Sequence, residues 1–104
     1  MLDVLDVTTR QLQDLVTITV RGELDVESAP EVESAITAAL ASDPRRIAID
    51  LTSLEFLDSS GLRVLVTAHR RCVDGDVELG IAPPAGQALE ALRISGLADV
   101  LPLI

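Results

Sequence analysis

Apolar and polar residues alternate in the first part of the chain. In residues 15–20, LVTITV, apolar side chains fall on one face and two threonines on the other, which is typical of a half-buried strand. Residues 4–7, VLDV, predict an antiparallel partner strand, and a polar turn over residues 10–14 joins the two. This part of the chain therefore predicts a hairpin.

Three later segments carry the period of a helix. Residues 28–41 repeat apolar side chains at i, i+3, i+4, i+7 and i+8, and Ser28 and Glu31 are spaced as a capping box. Residues 83–96 predict the last helix, with Gly96 suited to end it. The middle helix is predicted from Ser59 to Val73, and its principal buried stripe is predicted to contain Leu62, Leu65, Val66, His69 and Val73, widened by Val64, Ala68 and Cys72.

Two further apolar runs, residues 47–51 and 77–82, predict strands between these helices. Strands that alternate with helices build a parallel sheet. The expected fold is therefore a single α/β domain over residues 1–104, in which a mixed sheet joins the antiparallel hairpin to parallel strands. A short strand or packed turn is expected at the end, in LADVLPLI.

Functional loops in such sheets gather beyond the carboxyl ends of the parallel strands. Two loops have that position in the predicted order: GELD, residues 22–25, after a strand ending near Arg21, and LDSSG, residues 57–61, after a strand ending near Leu51. We expect both loops on the same edge of the sheet.

The net charge of −9 argues against nucleic acid and anionic membranes as partners and favours a protein with a basic face. No apolar run approaches the roughly 18 residues of a membrane span, and the acidic start MLDVLD is unlike a signal peptide. We expect a cytoplasmic protein. The single cysteine, Cys72, is interpreted as a small core residue.

The sequence contains little that indicates a catalytic site. The serines of LDSSG lack the glycine two positions earlier that a nucleophile elbow requires. The single histidine, His69, stands ten residues after Ser59 on one predicted helix, about 15 Å away along its axis. No zinc set, calcium loop or phosphate-binding loop is present. We expect no enzyme activity, metal or cofactor.

The polar run DSSG has two interpretations. Asp58 or Ser59 caps the predicted helix, a contribution of about 1 kcal/mol. Gly61 weakens the first turn by roughly 0.5–1 kcal/mol relative to alanine, which a sequence tolerates where something approaches the backbone closely. The second interpretation is that backbone N–H groups at the helix start donate to a phosphate carried by a serine, and that this phosphate alters the surrounding surface.

The blocks GELDVESAPEVESAI, IAIDLTSLEFLDSSGLRVLV and PAGQALEALRISGL together resemble the STAS-domain anti-sigma factor antagonists of bacteria. The resemblance covers nearly the whole chain. The DSSGL element after a strand, with GELD some 35 residues earlier, is a fairly specific pairing, and the chain matches it without departure.

The resemblance implies a partner-switching module in transcription regulation. Its unphosphorylated form is expected to bind an anti-sigma factor that is also a serine kinase and thereby release the sigma factor. The kinase, which supplies the ATP, is expected to phosphorylate Ser59 and end binding, and a PP2C-like phosphatase to reverse this. The residues implied in partner binding are Gly22, Glu23, Leu24, Asp25, Asp58, Ser60 and Gly61.

STAS domains also occur in sulfate transporters, lipid-transport complexes and stress-signalling assemblies. The absence of an apolar span disfavours the transporter role, and a binding subunit of a lipid-transport or stress-signalling complex is the alternative. Ser60 is a candidate secondary phosphorylation site. A monomer or weak dimer is the expected state.

Overall fold

The computed structural model describes residues 5–104, and its first two strands form the predicted hairpin. Strands β1 (Leu5–Leu12) and β2 (Leu15–Leu24) pair antiparallel, with Leu12 opposite Leu15. Both strands are longer than the apolar pattern indicates, and the turn between them is two residues instead of five. Most of β1 is exposed, as befits an edge strand, so its polar second half gives no apolar signal. Val4, which the pattern assigns to this strand, lies outside the described residues.

The parallel part of the sheet also follows the prediction. Strands β3 (Arg46–Asp50) and β5 (Glu78–Ala82) extend the sheet in the order β1-β2-β3-β5, and both new pairings are parallel. The sheet is mixed, as expected. The sequence pattern missed strand β4 (Leu54–Leu57), which pairs in parallel with the last residues of β2. It has four residues, and its two exposed central side chains break any apolar run.

Helices α1 (Ala29–Ala41), α2 (Ser59–Asp74) and α3 (Gly86–Ile94) lie close to their predicted positions. Gly96 follows α3 with a φ of 82°, a left-handed conformation that suits glycine at a helix end. A 3₁₀ turn over Leu97–Asp99 and a parallel bridge between Ile81 and Leu103 complete the fold. The packed turn expected in the last eight residues is therefore present.

The buried stripe of α2 differs from the one predicted. Its buried residues fall at i, i+3, i+4, i+7 and i+11: Gly61, Val64, Leu65, Ala68 and Cys72. Of the predicted principal stripe, Leu65 is fully buried, Leu62, Val66 and His69 are half-buried, and Val73 is 64% exposed. The sequence interpretation favoured the larger side chains. The helix instead turns its small residues inward, since these let its backbone approach the sheet closely.

The strands supply most of the large fully buried side chains, and the helices cover them. Helices α1 and α2 pack against each other, and α3 packs against β4. Within residues 5–104, no helix combines the length and apolarity needed to cross a bilayer. This arrangement fixes the start of α2 between the end of β2 and the start of α3.

Candidate functional site

The structure brings the GELD and LDSSG segments together, and we call residues 22–25 and 57–61 the serine rim. Leu24 and Leu57 are paired in the sheet, and Glu23 is opposite Phe56. The N–H of Asp58 donates to the carbonyl of Leu24 at 3.3 Å. The predicted proximity is confirmed, although the elements that create it differ. Strand β2 runs through Leu24 instead of ending near Arg21, and β4 leads directly into Asp58.

Asp58 caps helix α2. Its backbone is extended, and its Oδ1 accepts hydrogen bonds from the N–H groups of Ser60 at 2.9 Å and Gly61 at 3.1 Å. The N–H of Leu62 reaches the Asp58 carbonyl at 3.0 Å. Three of the first N–H groups of the helix are therefore already bonded. The expectation that N–H groups at the helix start are open to a phosphate is wrong for Ser60 and Gly61, because the Asp58 carboxylate occupies them, and the Leu62 N–H is bonded to the Asp58 carbonyl.

Ser59 is the first residue of α2, and its side chain is exposed. Within residues 5–104 its hydroxyl takes part in no hydrogen bond, so it is accessible to an incoming reagent. Ser60 is half-buried and lies nearer the groove between α1 and α2. Of the two serines, Ser59 is the more accessible.

Gly61 is buried, and the close approach expected there comes from this chain's own side chains. A Cβ at this position would collide with Leu57 Cδ1 and lie 2.8 Å from Leu24 Cγ. Leu24 itself is fully buried. Gly61 and Leu24 are therefore buried members of the serine rim and support its exposed residues from beneath. Gly22 has a different role. Its φ is 96°, a conformation that favours glycine, and it lies where the register between β2 and β4 shifts.

Asp25 and Ser28 form a small hydrogen-bonded turn that begins α1. Asp25 Oδ1 accepts from the N–H of Ser28 at 3.1 Å and of Glu27 at 3.0 Å. The Ser28 hydroxyl accepts from the N–H of Asp25 and lies 2.9 Å from the carbonyl of Glu23, to which it donates. The predicted capping box of Ser28 and Glu31 is wrong, since the Ser28 side chain makes no cap bond to its own helix. The Ser28 side chain instead bonds to the backbone of Glu23 and Asp25, and it holds the GELD segment in place.

The same turn lowers the pKa of Asp25 below its ordinary value of 3.8. The largest cause is the hydrogen bond from the Ser28 N–H, with further contributions from the Ser28 hydroxyl and the Glu27 N–H, partly offset by desolvation. Hydrogen bonds to a carboxylate favour its charged form. The charged Asp25 carboxylate therefore stabilises the turn that joins the GELD segment to α1.

Gln87 of α3 closes the open edge of β4, which sequence reasoning missed. Its Oε1 accepts from the N–H of Leu57 at 3.0 Å, and its Nε2 donates to the Leu57 carbonyl at 3.1 Å. The side-chain amide thus takes the place of a neighbouring strand, immediately before Asp58. A polar residue on the exposed side of a predicted helix carries no sequence signal for such a contact.

The surface around Ser59 is acidic with exposed apolar side chains. Glu23 is exposed, while Asp25 and Asp58 are half-buried. Val26, at the turn after β2, is 69% exposed, and Phe56 is 38% exposed. Neither was predicted as part of a site. Beside them a groove of about 200 Å³ runs between α1 and α2, lined by Val26, Ala29, Pro30, Glu33, Ser60, Arg63, Val64 and Thr67.

Other candidate features lie away from the serine rim. A broader depression of about 840 Å³ is found at the opposite end of the sheet, next to the hairpin turn. Cys72 is 1% exposed, and its burial raises the pKa of its thiol above 9.0, which suits the core role predicted for it. Among the described residues, no group of three or more His, Cys, Asp or Glu side chains is arranged to hold a metal ion.

A family model described as the STAS domain matches residues 6–104. The chain belongs to the STAS domain family. The family resemblance found in the sequence is thereby confirmed, and so is the α/β fold that it implies.

Relatives of this STAS domain include curated bacterial regulators. It is 31% identical to the anti-sigma-B factor antagonist of Listeria monocytogenes over 88 residues, which cover 85% of this chain and 77% of that one. It is 27% identical to the anti-sigma-F factor antagonist RsfB of Mycobacterium tuberculosis, over 91% of this chain and 77% of the relative.

Solved structures agree with the fold of this STAS domain. The crystal structure of an anti-sigma factor antagonist from Mycobacterium paratuberculosis superimposes with a TM-score of 0.84 at 29% identity. The match covers 95% of this chain and 84% of that one. The similarity therefore extends over nearly all of this chain.

Proposed function

We propose that this STAS domain is an anti-sigma factor antagonist regulated by phosphorylation of Ser59. Its unphosphorylated form binds an anti-sigma factor that is also a serine kinase, and the sigma factor is released. The observation that carries the proposal is the exposed hydroxyl of Ser59 at the first position of α2, on a rim held from beneath by buried residues. The names of the curated relatives, which are antagonists of anti-sigma factors, support the same function.

The geometry supports a role for Ser59 as phosphate acceptor. Its neighbours are fixed by the Asp58 cap on one side and by the Gln87 contacts to Leu57 on the other. A kinase therefore meets a hydroxyl on rigid backbone, with no protein hydrogen bond to break among the described residues. ATP is the kinase's substrate and is bound by the kinase.

Phosphorylation would change the rim mainly through charge. A phosphoserine carries about −1.5 to −2 charges at pH 7. At position 59 it would lie next to the Asp58 carboxylate and near Glu23 and Asp25, and the cap leaves it few backbone N–H groups. A dianion that stays exposed at the centre of an interface must be desolvated or repelled on binding, which weakens the complex. A PP2C-like phosphatase restores the binding form.

The partner surface in this proposal combines exposed and supporting residues. Glu23, Ser60 and the exposed Val26 and Phe56 face the partner, while Asp25 and Asp58 hold the two segments in place. Gly22, Leu24 and Gly61 act through the backbone and the packing beneath it. An apolar centre with an acidic border complements a partner with a basic border.

The test is phosphorylation by the cognate anti-sigma factor with labelled ATP. The wild-type chain should gain one phosphate at Ser59, the Ser60→Ala variant should still gain its phosphate at Ser59, and the Ser59→Ala variant should gain none. Mass spectrometry of the digested product locates the group. Full incorporation in Ser59→Ala would overturn the assignment of the site.

A further inference from the structure

Arg63, one turn after Ser59, has no role in the contacts described so far. It is exposed and lines the groove between α1 and α2. Within residues 5–104 its guanidinium takes part in no hydrogen bond, and the one ion pair there joins Arg46 to Glu78. Arg71 of the same helix, by contrast, donates to Thr37 on α1 at 2.9 Å. The Arg63 side chain is therefore available to a new partner.

The position of Arg63 relative to Ser59 is that of a helical ion pair. Residues four apart on a helix have Cβ atoms about 5–6 Å apart, and an anion at i with a cation at i+4 is the favourable order. The first turn of α2 contains no acidic residue. Phosphorylation of Ser59 would supply the missing anion at i−4 from Arg63.

The Asp58 cap increases the importance of Arg63 as a partner for a phosphate on Ser59. Asp58 Oδ1 already bonds to the N–H groups of Ser60 and Gly61, so a phosphate on Ser59 cannot take them without displacing a carboxylate. Glu23 and Asp25 of the rim and Glu33 of the groove are anions. Arg63 is the cation placed to accept the phosphate, and a guanidinium binds phosphate oxygens through two parallel N–H donors.

We infer that Arg63 binds the phosphate of phosphorylated Ser59 and holds it against the first turn of α2. The inference rests on the proposed function only in taking Ser59 as the phosphorylated residue. In this state the groove between α1 and α2 loses an unpaired positive charge at the same time as the rim gains a dianion. Phosphorylation then changes two neighbouring parts of the partner surface together.

The test uses phosphoserine incorporated at position 59 during translation, so that no kinase is needed. The second ionisation of the phosphate is followed by phosphorus NMR as the pH is varied. A cation that pairs with the dianion lowers the titration midpoint. Substituting Arg63→Gln, which keeps a good helix former, should raise the midpoint by roughly 0.2–0.7 units, the value of an exposed ion pair.

Arg70→Gln is the matched control, since it removes the same charge from the same helix. Arg70 lies eleven residues from Ser59, about 16 Å along the axis, beyond the screening length of about 10 Å at 0.1 M salt. Its substitution should leave the midpoint unchanged. Equal midpoints in the Arg63→Gln and Arg70→Gln variants would overturn the inference while leaving Ser59 as acceptor. Failure of the cognate kinase to modify Ser59 would overturn the proposed function and leave this titration unaffected.

Discussion

Gly61 lies against the side chains of Leu24 and Leu57, beneath the exposed residues of the serine rim. Close packing of this kind leaves no room for a methyl group, because protein interiors are as dense as organic crystals. The residues on the surface of the rim, Glu23 and Ser59, depend on these buried neighbours for their position. At the scale of single residues, the site therefore has a supporting layer and an exposed layer.

Gly61→Ala should destabilise the domain by about 1–3 kcal/mol, although alanine is the better helix former. The added Cβ would lie 2.8 Å from Leu24 Cγ and closer still to Leu57, and overpacking of a core costs this amount. Urea unfolding measures the change. Ser60→Ala, at the adjacent half-buried position, should stay close to wild type. A Gly61→Ala variant as stable as wild type would show that Leu24 and Leu57 move aside freely.

At the scale of elements, the site depends on how β4 is held at its open edge. One edge of β4 pairs with β2, and on the other the Gln87 side chain binds the N–H and carbonyl of Leu57. The Gln87 amide thus links helix α3 to Leu57, the residue before the Asp58 cap of α2. The register of the serine rim is set by the sheet on one side and by this contact on the other.

Gln87→Ala should make the Leu57 amide exchange its hydrogen faster, by about 2- to 10-fold if one net hydrogen bond is lost from the closed state. Amide exchange followed by NMR measures this directly. Glu90→Ala, also on α3, is the control and should leave the Leu57 amide protected. Equal protection of Leu57 in both variants would mean that Gln87 does not hold the strand.

The turn between β2 and α1 should make the free energy of unfolding of the domain depend on pH in the acid range. The folded state lowers the pKa of Asp25 below 3.8, so the unfolded chain binds more protons in this range, and the free energy of unfolding rises with pH. The contribution of Asp25 is present above pH 3.8 and is lost as the pH falls through its lower folded pKa.

Urea unfolding of wild type and Asp25→Asn, measured between pH 5 and the lowest pH at which both fold, tests this dependence. We expect the free energy of unfolding of wild type to fall more steeply with acid than that of Asp25→Asn. Asp6→Asn, on the exposed part of β1, is the control and should keep the wild-type slope. Parallel curves for wild type and Asp25→Asn would contradict the role given to the hydrogen-bonded turn.

At the scale of the whole molecule, the sequence predicts most of the fold because its signals are local. Alternation in LVTITV, the helical period after Ser28 and the strand-helix order define the mixed sheet, and the place of GELD and DSSG at strand ends predicts that they meet. Strand β4 was missed because four residues carry too short a pattern. The Gln87 contact and the exposed Val26 were missed because each depends on distant elements coming together.

We propose that the charge on Ser59 decides whether the rim can bind its partner. Isothermal titration calorimetry of the cognate anti-sigma factor against the chain with serine, and against the chain with phosphoserine, at position 59 tests it most directly. We predict binding of the serine form and at least about tenfold weaker binding of the phosphoserine form, as burial or repulsion of a dianion requires. Ser59→Ala, as the uncharged control, should bind like the serine form. Equal dissociation constants for the serine and phosphoserine forms would show that the charge on Ser59 does not control binding.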